Sequence, residues 1–347
     1  MEETIFDYVQ AGELAAYWNT RQAANSLAPY LGEILFPDRK QVGLDLSYIK
    51  GAKGMAAELN LSAFDADTLK KDRIGFEEVK TSMPFFKNSM TIDEDLRQKL
   101  LMALQAGNQA YKDAILRNIF DDATMLVEDA AVTREKMRMQ LLSTGAIVMA
   151  NNGQEYTYDY GLPAEHKITA ETKWDDAEAD VIADIIAYQD MIENEGYGRP
   201  TRAITSRRVL RAMLNNTNIK NAVYVFSQGK VALNEAALRN YIAEQTGVTI
   251  EVYEKKYKAL DGTVTRFIPE DLFILIPDGD LGNTHFGTTP EEADLMASQN
   301  AQVSLVDTGV AITTFEEVDP VTVVTKVSQV CLPSFEAADQ IVIAQVL

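Results

Sequence analysis

From about Ala110 to Thr144 the chain contains neither glycine nor proline, and within that stretch Ile115, Ile119, Leu126, Ala130, Met137 and Leu141 recur at spacings of 4, 7, 4, 7 and 4. An 11-residue repeat corresponds to ~3.67 residues per turn, so one narrow apolar stripe stays on one face of a nearly straight helix. Thirty-five residues at ~1.5 Å each predict a rod roughly 50 Å long, well beyond the usual helix. A small domain cannot hold such a rod inside, so the rest of the chain must be arranged along it. Gly145 is the expected stop, and the segment IVMANNGQEYTYDY that follows carries Asn152-Gly153 between alternating flanks, a two-residue hairpin signal.

The segments on either side differ in character. Residues 1–28 read as an arm with one helix around Phe6, Tyr8, Val9, Leu14, Tyr17 and Trp18, ended near Ala28-Pro29. Residues 31–90 show strand-like alternation in VGLDLSYI and IGFEEVKTSMPFF, separated by a polar middle too long for a tight turn, which predicts an extended excursion that packs on another molecule. Thr91 is the expected cap of a helix TIDEDLRQKLLMALQ, with Glu94 as its capping-box partner. Residues 171–200 read as an acidic helix with an apolar face from Trp174 to Ile192. A strand, an N-cap at Thr205 or Ser206, two helices, a DGT turn and the buried-type strand FILIPDG follow, so residues from about 171 to 310 form a second α/β unit. The last 35 residues return to strands and are expected to finish the first domain's sheet.

At 347 residues the chain suits two compact units, and 46% hydrophobic with 24% charged residues excludes global disorder. The 52 acidic against 32 basic residues leave a net charge of −20, a surface that repels phosphate and disfavours sequence-independent nucleic-acid binding. Cys331 is the only cysteine, which excludes an internal disulfide, and SQVCLPSF offers no base to lower its pKa. The acidic N-terminus lacks the pattern of a signal peptide, and no apolar run suits a membrane span.

Motifs for chemistry are missing where catalysis or metal binding would need them. His166 and His285 lie in no metal-ligand spacing, and no glycine-rich phosphate loop opens a helix. PDGDLGNTHFG spaces Asp278 and Asp280 like the start of a calcium loop, but lacks the later ligands and the terminal glutamate. Asp175, Asp176 and Asp180 read as a solvated helix face; an acidic catalytic cleft built on them is the enzyme alternative. No catalytic, cofactor or metal residue is expected. The basic clusters Arg134, Lys136 and Arg138, at the end of the long helix, and Arg207, Arg208 and Arg211, on a later one, read instead as outward-facing partners for an acidic neighbour. An acidic protein with discrete basic patches can attract copies of itself.

The helix end REKMRMQLLSTGAI at 134–147, the run FIPEDLFILIPDGDLGNTHFGTTPEE at 267–292 and the close GVAITTFEEVDPVTVVTKVSQVCLPSFEAADQIVIAQV at 309–346 carry a resemblance over nearly the whole chain. The sequence resembles the lambda-type major capsid proteins of tailed bacteriophages, the phage capsid protein E family, whose α+β fold is of the Hong Kong 97 type. That resemblance implies an N-arm at 1–30, an E-loop at 31–90, a peripheral domain at 91–170 and 311–347 with the long helix as spine, and an axial domain at 171–310. It implies a non-enzymatic protein of the virion, assembled in the host cytoplasm as pentamers and hexamers of an icosahedral shell. Its partners would be scaffolding protein, a portal and a decoration protein, around double-stranded DNA enclosed without sequence-specific binding and without a membrane. Arg134, Lys136, Arg138, Arg207, Arg208, Trp18 and the loop lysines Lys50 and Lys53 are the candidate subunit contacts; Lys50, Lys53, Lys70 and Lys71 are expected to stay solvated and not cross-linked. An encapsulin-like compartment shell would use the same fold.

Overall fold

The computed structural model describes residues 5–24, 29–50, 77–151, 154–224, 232–296, 301–319 and 321–347. In chain order it opens with helices α1 (Ile5–Tyr8), α2 (Ala11–Ala24) and α3 (Leu31–Leu35), then strands β1 (Asp38–Lys40), β2 (Asp45–Lys50), β3 (Glu77–Ser82) and β4 (Phe85–Ile92). Helices α4 (Glu94–Gln105) and α5 (Gln109–Thr144) lead to the hairpin β5 (Ala146–Asn151) and β6 (Gln154–Asp159), and then to β7 (Lys167–Thr169). Next come α6 (Val181–Asn194), β8 (Arg202–Thr205), α7 (Arg207–Asn215), α8 (Thr217–Val223) and α9 (Glu235–Thr246). Strands β9 (Thr249–Val252), β10 (Lys256–Lys258), β11 (Val264–Arg266), β12 (Leu272–Ile276) and β13 (Thr284–Phe286) follow. The chain closes with β14 (Ala301–Val306), β15 (Val310–Val318), β16 (Val321–Pro333) and β17 (Val342–Gln345).

The chain divides into two compact units, one from Met1–Leu46, Lys80–Lys136 and Asn283–Ser334, the other from Ser47–Val79, Met137–Gly282 and Phe335–Leu347. Both take part of α5, whose 36 residues match the uninterrupted helix expected from the 11-residue repeat. All six stripe residues are buried, Ile115 through Ala130 in the first unit and Met137 and Leu141 in the second. Each buried aliphatic side chain contributes ~1.5–3 kcal/mol relative to solvent, which stabilises a helix whose stripe is otherwise narrow. Gly145 ends it at φ +73°, a left-handed conformation that glycine adopts without strain.

The first unit is built on a six-stranded sheet in the order β1-β13-β16-β15-β14, with β4 also paired to β16. The β-branched run Val321–Pro333 suits its central place: β16 is antiparallel to β15 on one side, and to β4 and β13 on the other. Helix α2 packs on β14 and β15. Thr91 and Ile92 belong to β4, opposite Val324 and Val323, so Thr91 is not the helix cap expected from the sequence. Asp93 takes that role, its carboxylate accepting from the Leu96 amide at 2.9 Å. β-Branched residues fit a sheet edge better than a helix start, and the next carboxylate is one register step away.

The second unit contains a five-stranded sheet in the order β7-β17-β12-β8-β9, whose apolar face forms one core with side chains of α6 to α9. Trp174 is fully buried there, its ring 4.9 Å from that of Phe273, and its indole N–H donates to Asp184 at 2.8 Å. Helix α6 begins only at Val181; the acidic residues before it lie in turns, with Asp180 as the N-cap accepting from the Ala183 amide at 3.1 Å. The single acidic helix expected over 171–200 is thus shorter, because short Asp side chains bond the backbone in turns and caps more readily than they extend a helix. The expected N-cap at Thr205 or Ser206 is Ser206, which accepts from the Val209 amide. The closing strands separate: β15 and β16 lie in the first unit's sheet, but β17 pairs with β12 and β7 in the second. Local alternation marks all three as strands, and only long-range pairing assigns each to a sheet.

Both expected short hairpins form. β5 pairs antiparallel with β6 in a register that sets Asn151 opposite Gln154, and the Asn152-Gly153 turn between them lies outside the described residues. β10 pairs with β11 around Asp261 and Gly262, where the Asp261 carboxylate accepts from the Thr263 amide and hydroxyl.

Candidate functional site

The basic cluster at the end of the long helix does not face outward. Arg134 is 3% exposed and Arg138 1%, while Lys136 is half-buried. Arg134 donates to Gln329 Oε1 at 2.9 Å and to Asp307 Oδ2 at 3.2 Å, and its guanidinium lies 5.6 Å from the centre of the Phe286 ring. Asp307, in the turn between β14 and β15, sits at φ +50°, an uncommon conformation that aspartate tolerates better than most residues. Trp18 is buried too, its indole N–H reaching Asp307 at 3.5 Å. Gln329 completes the group by donating to the Ala130 carbonyl at 3.0 Å. This cluster ties α2, α5 and the sheet of the first unit into one polar core. The outward-facing reading fails for both arginines: the sheet strand and turn that carry Gln329 and Asp307 cover Arg134, and Arg138 is buried in the second unit, neither of which the local sequence pattern records.

The root of the long excursion is a second polar cluster of the first unit. β1 lies parallel to β13, aligning Arg39 with His285. The His285 ring contacts Gln41 Oε1 at 3.0 Å through Nδ1, and the Gln41 amide donates to the Asp45 carbonyl at 2.7 Å. Lys40 pairs with Glu292 at 2.6 Å and reaches the Gly287 carbonyl at 3.1 Å. The approach is close enough that a Cβ on Gly287 would stand 2.6 Å from the Gly43 carbonyl oxygen. Burial, helped by the Arg39 charge, pushes the His285 pKa below its ordinary value. Beside it, Glu291 pairs with Lys326 at 2.6 Å and accepts from Ser328 at 2.8 Å. Burial alone would raise the Glu291 pKa, but these hydrogen bonds outweigh it and hold the carboxyl below its usual range.

Large apolar side chains stand in solvent in the turn after β1, with Val42 at 97% and Leu44 at 51%, and along β4, with Phe85 at 41% and Met90 at 37%. Exposed apolar groups gathered near one element mark a contact surface more often than a free one. Lys50 ends β2, which pairs with β3; Lys53, Lys70 and Lys71 lie outside the described residues.

In the second unit Arg207, Arg208 and Arg211 are exposed on α7, whose opposite face buries Val209, Leu210 and Met213. Glu254 accepts from the Arg207 amide and pairs with Arg266. Burial opposes ionisation of Glu254, and these bonds with the two arginine charges prevail, so its pKa is lowered. Asp175, Asp176 and Asp180 are exposed and do not converge: Asp176 accepts from the Glu178 amide at 3.0 Å while Asp180 caps α6. Asp278, the first residue of the calcium-like spacing, accepts from the Thr201 hydroxyl and faces Arg202 at 3.7 Å. An open cavity of about 320 Å³ is lined by Tyr197, Arg199, Asp278 and Gln340. Among the described residues no three His, Cys, Asp or Glu side chains gather as a metal site, and no helix is long and apolar enough to cross a membrane. His166 is buried and meets Glu195 at 2.9 Å; Cys331 is buried on β16.

The polar clusters therefore brace elements, and the residues left for contact lie on an excursion root and an arginine-bearing helix. Two solved structures share this arrangement of elements over nearly their whole length. One, assigned as the capsid protein of a prophage of E. coli CFT073, is 19% identical with a TM-score of 0.60, covering 98% of this chain and 99% of that one. The other, a phage-related protein from Bordetella bronchiseptica RB50, is 13% identical with a TM-score of 0.54, covering 97% of each. The fold is the α+β Hong Kong 97-type fold of phage capsid proteins. The family model for phage major capsid protein E matches residues 10–346, and the chain belongs to that family. It is a major capsid protein of the virion, a structural protein that assembles with copies of itself.

Proposed function

We propose that copies of this chain build an icosahedral head, as pentamers and hexamers, around packaged double-stranded DNA. The observation that carries the reading is the family match from residue 10 to residue 346, which leaves almost none of the chain for another purpose. On this reading residues 1–30 are the N-arm and 31–90 the E-loop. Residues 91–170 and 311–347 form the peripheral domain, and 171–310 the axial domain near the five-fold and six-fold axes. Scaffolding protein directs assembly in the host cytoplasm, a portal occupies one vertex, and a decoration protein can join the finished shell. The chain performs no catalysis, and the net charge of −20 confines DNA without gripping it. Lys136, Arg207, Arg208, Lys50 and Lys53 remain the proposed subunit contacts. Arg134, Arg138 and Trp18 support those contacts from within the subunit.

The test is negative-stain electron microscopy of the protein expressed alone and with a scaffolding protein from a related phage. Closed particles of uniform diameter are expected. A monodisperse 38.5 kDa monomer under both conditions would refute the reading.

A further inference from the structure

Among the described residues the arginine face of α7 has no answering charge beyond what Glu254 gives Arg207. Arg208 and Arg211, three residues apart, share that exposed face and make no ion pair among the described residues. Unpaired arginines on a chain of charge −20 are a local reversal of sign. At the other end of the same helix the sign is the opposite. The turns from Glu171 to Asp180 are stapled there at residues 177–179: the Thr217 amide donates to the Ala177 carbonyl, and the Asn216 and Asn218 side chains donate to the Ala179 and Glu178 carbonyls, all at 2.8 Å. Those bonds use backbone oxygens, which leaves the carboxylates of Glu171, Asp175 and Glu178 exposed to solvent. Arg208 and Arg211 stand seven and four residues before the helix end at Asn215, about 10 and 6 Å of rigid helix from it.

A surface positive at one end and negative at the other cannot neutralise itself, but it fits the same surface on the next copy placed head to tail. Such a heterologous contact repeats around an axis, and it closes into a ring where the rotation between copies divides the full circle, as the pentamers and hexamers of the shell reading require. We propose that the Arg208 and Arg211 face of one subunit docks against the Glu171, Asp175 and Glu178 turn of its neighbour within a capsomer. This rests on the shell reading and adds to it a named pair of surfaces. The partner is a second copy of this chain. Salt would weaken the contact, because exposed charge pairs are screened over about 10 Å at 0.1 M ionic strength.

The experiment compares full-length wild type, R208E/R211E, E171K/D175K/E178K and the combination of all five reversals. Sedimentation velocity gives the concentration at which capsomers form, and electron microscopy shows their products. Each one-sided reversal should raise that concentration about tenfold or more, a shift that a few repeated charge contacts can produce. The combined variant should return to within roughly threefold of wild type, because the pairing is restored with its sign exchanged. The milder R208Q/R211Q should lie between, with an unchanged urea midpoint showing that folding is intact. Wild type should also require more protein at 0.5 M than at 0.05 M salt. One-sided reversals that assemble like wild type, or a combined variant that stays impaired, would overturn the docking while the shell reading stands. A two-fold dimer as the sole product would do the same. Wild type that assembles neither alone nor with scaffold would overturn both.

Discussion

Replacing Arg134 by methionine tests whether the end of the long helix is held inside the subunit or faces a neighbour. The substitution keeps an unbranched stem of similar reach and removes the guanidinium that bonds Gln329 and Asp307 and rests over Phe286. Breaking a buried charged pair from one side costs ~3–5 kcal/mol, because the remaining charge stays desolvated. Asp307 keeps 18% of its side chain in solvent, so water recovers part of the loss and the lower end, about 3 kcal/mol, applies. With a urea slope of roughly 2–3 kcal/mol per molar, the unfolding midpoint should fall by about 1 M. The molecule offers its own reporter, since it has two tryptophans, Trp18 in the first unit and Trp174 in the second. In a W174F background, fluorescence follows Trp18, which touches Asp307 itself. The cycle closed by D307N and R134M/D307N should show a coupling of ~1–3 kcal/mol. An R134M protein whose midpoint shifts by less than about 0.2 M, yet whose particles fail to form, would refute the internal role and return Arg134 to a subunit interface.

Two further outcomes follow from the same geometry. G145A should destabilise the second unit by roughly 2–3 kcal/mol, since alanine resists φ +73° and its Cβ would stand 2.7 Å from Leu162 Cβ; a change under about 0.5 kcal/mol by Trp174 fluorescence would contradict the left-handed helix stop. His285 has a folded pKa below the ordinary imidazole value of about 6.5, so the stability it contributes is complete above that pH and is lost as pH falls through the folded value. The urea midpoint of wild type should therefore drop more steeply than that of H285Q as pH is lowered below 6.5, and parallel slopes would show that the ring is not held neutral.

Much of this molecule is legible in its sequence because much of it is local. The 11-residue repeat prescribes an uninterrupted helix and names its buried stripe, since a helical face depends only on residues a few positions apart. The Asp-Gly turn, the Ser206 cap and the Gly145 stop are likewise settled within a handful of residues. Tertiary structure decided the rest. Arg134 reads as part of a solvated basic cluster until a sheet from residues 301–333 covers it, and a single sequence does not encode that cover in the neighbourhood of residue 134. Val323 and Val342 both read simply as strand. The partners that place one beside Ile92 and the other beside Leu275 are chosen by long-range hydrogen bonding and shared burial. Local periodicity determined which elements form and which side of each is apolar. Contacts between residues some 70 to 230 positions apart decided which charges are buried as braces and which, like those of α7, remain outside to meet another molecule.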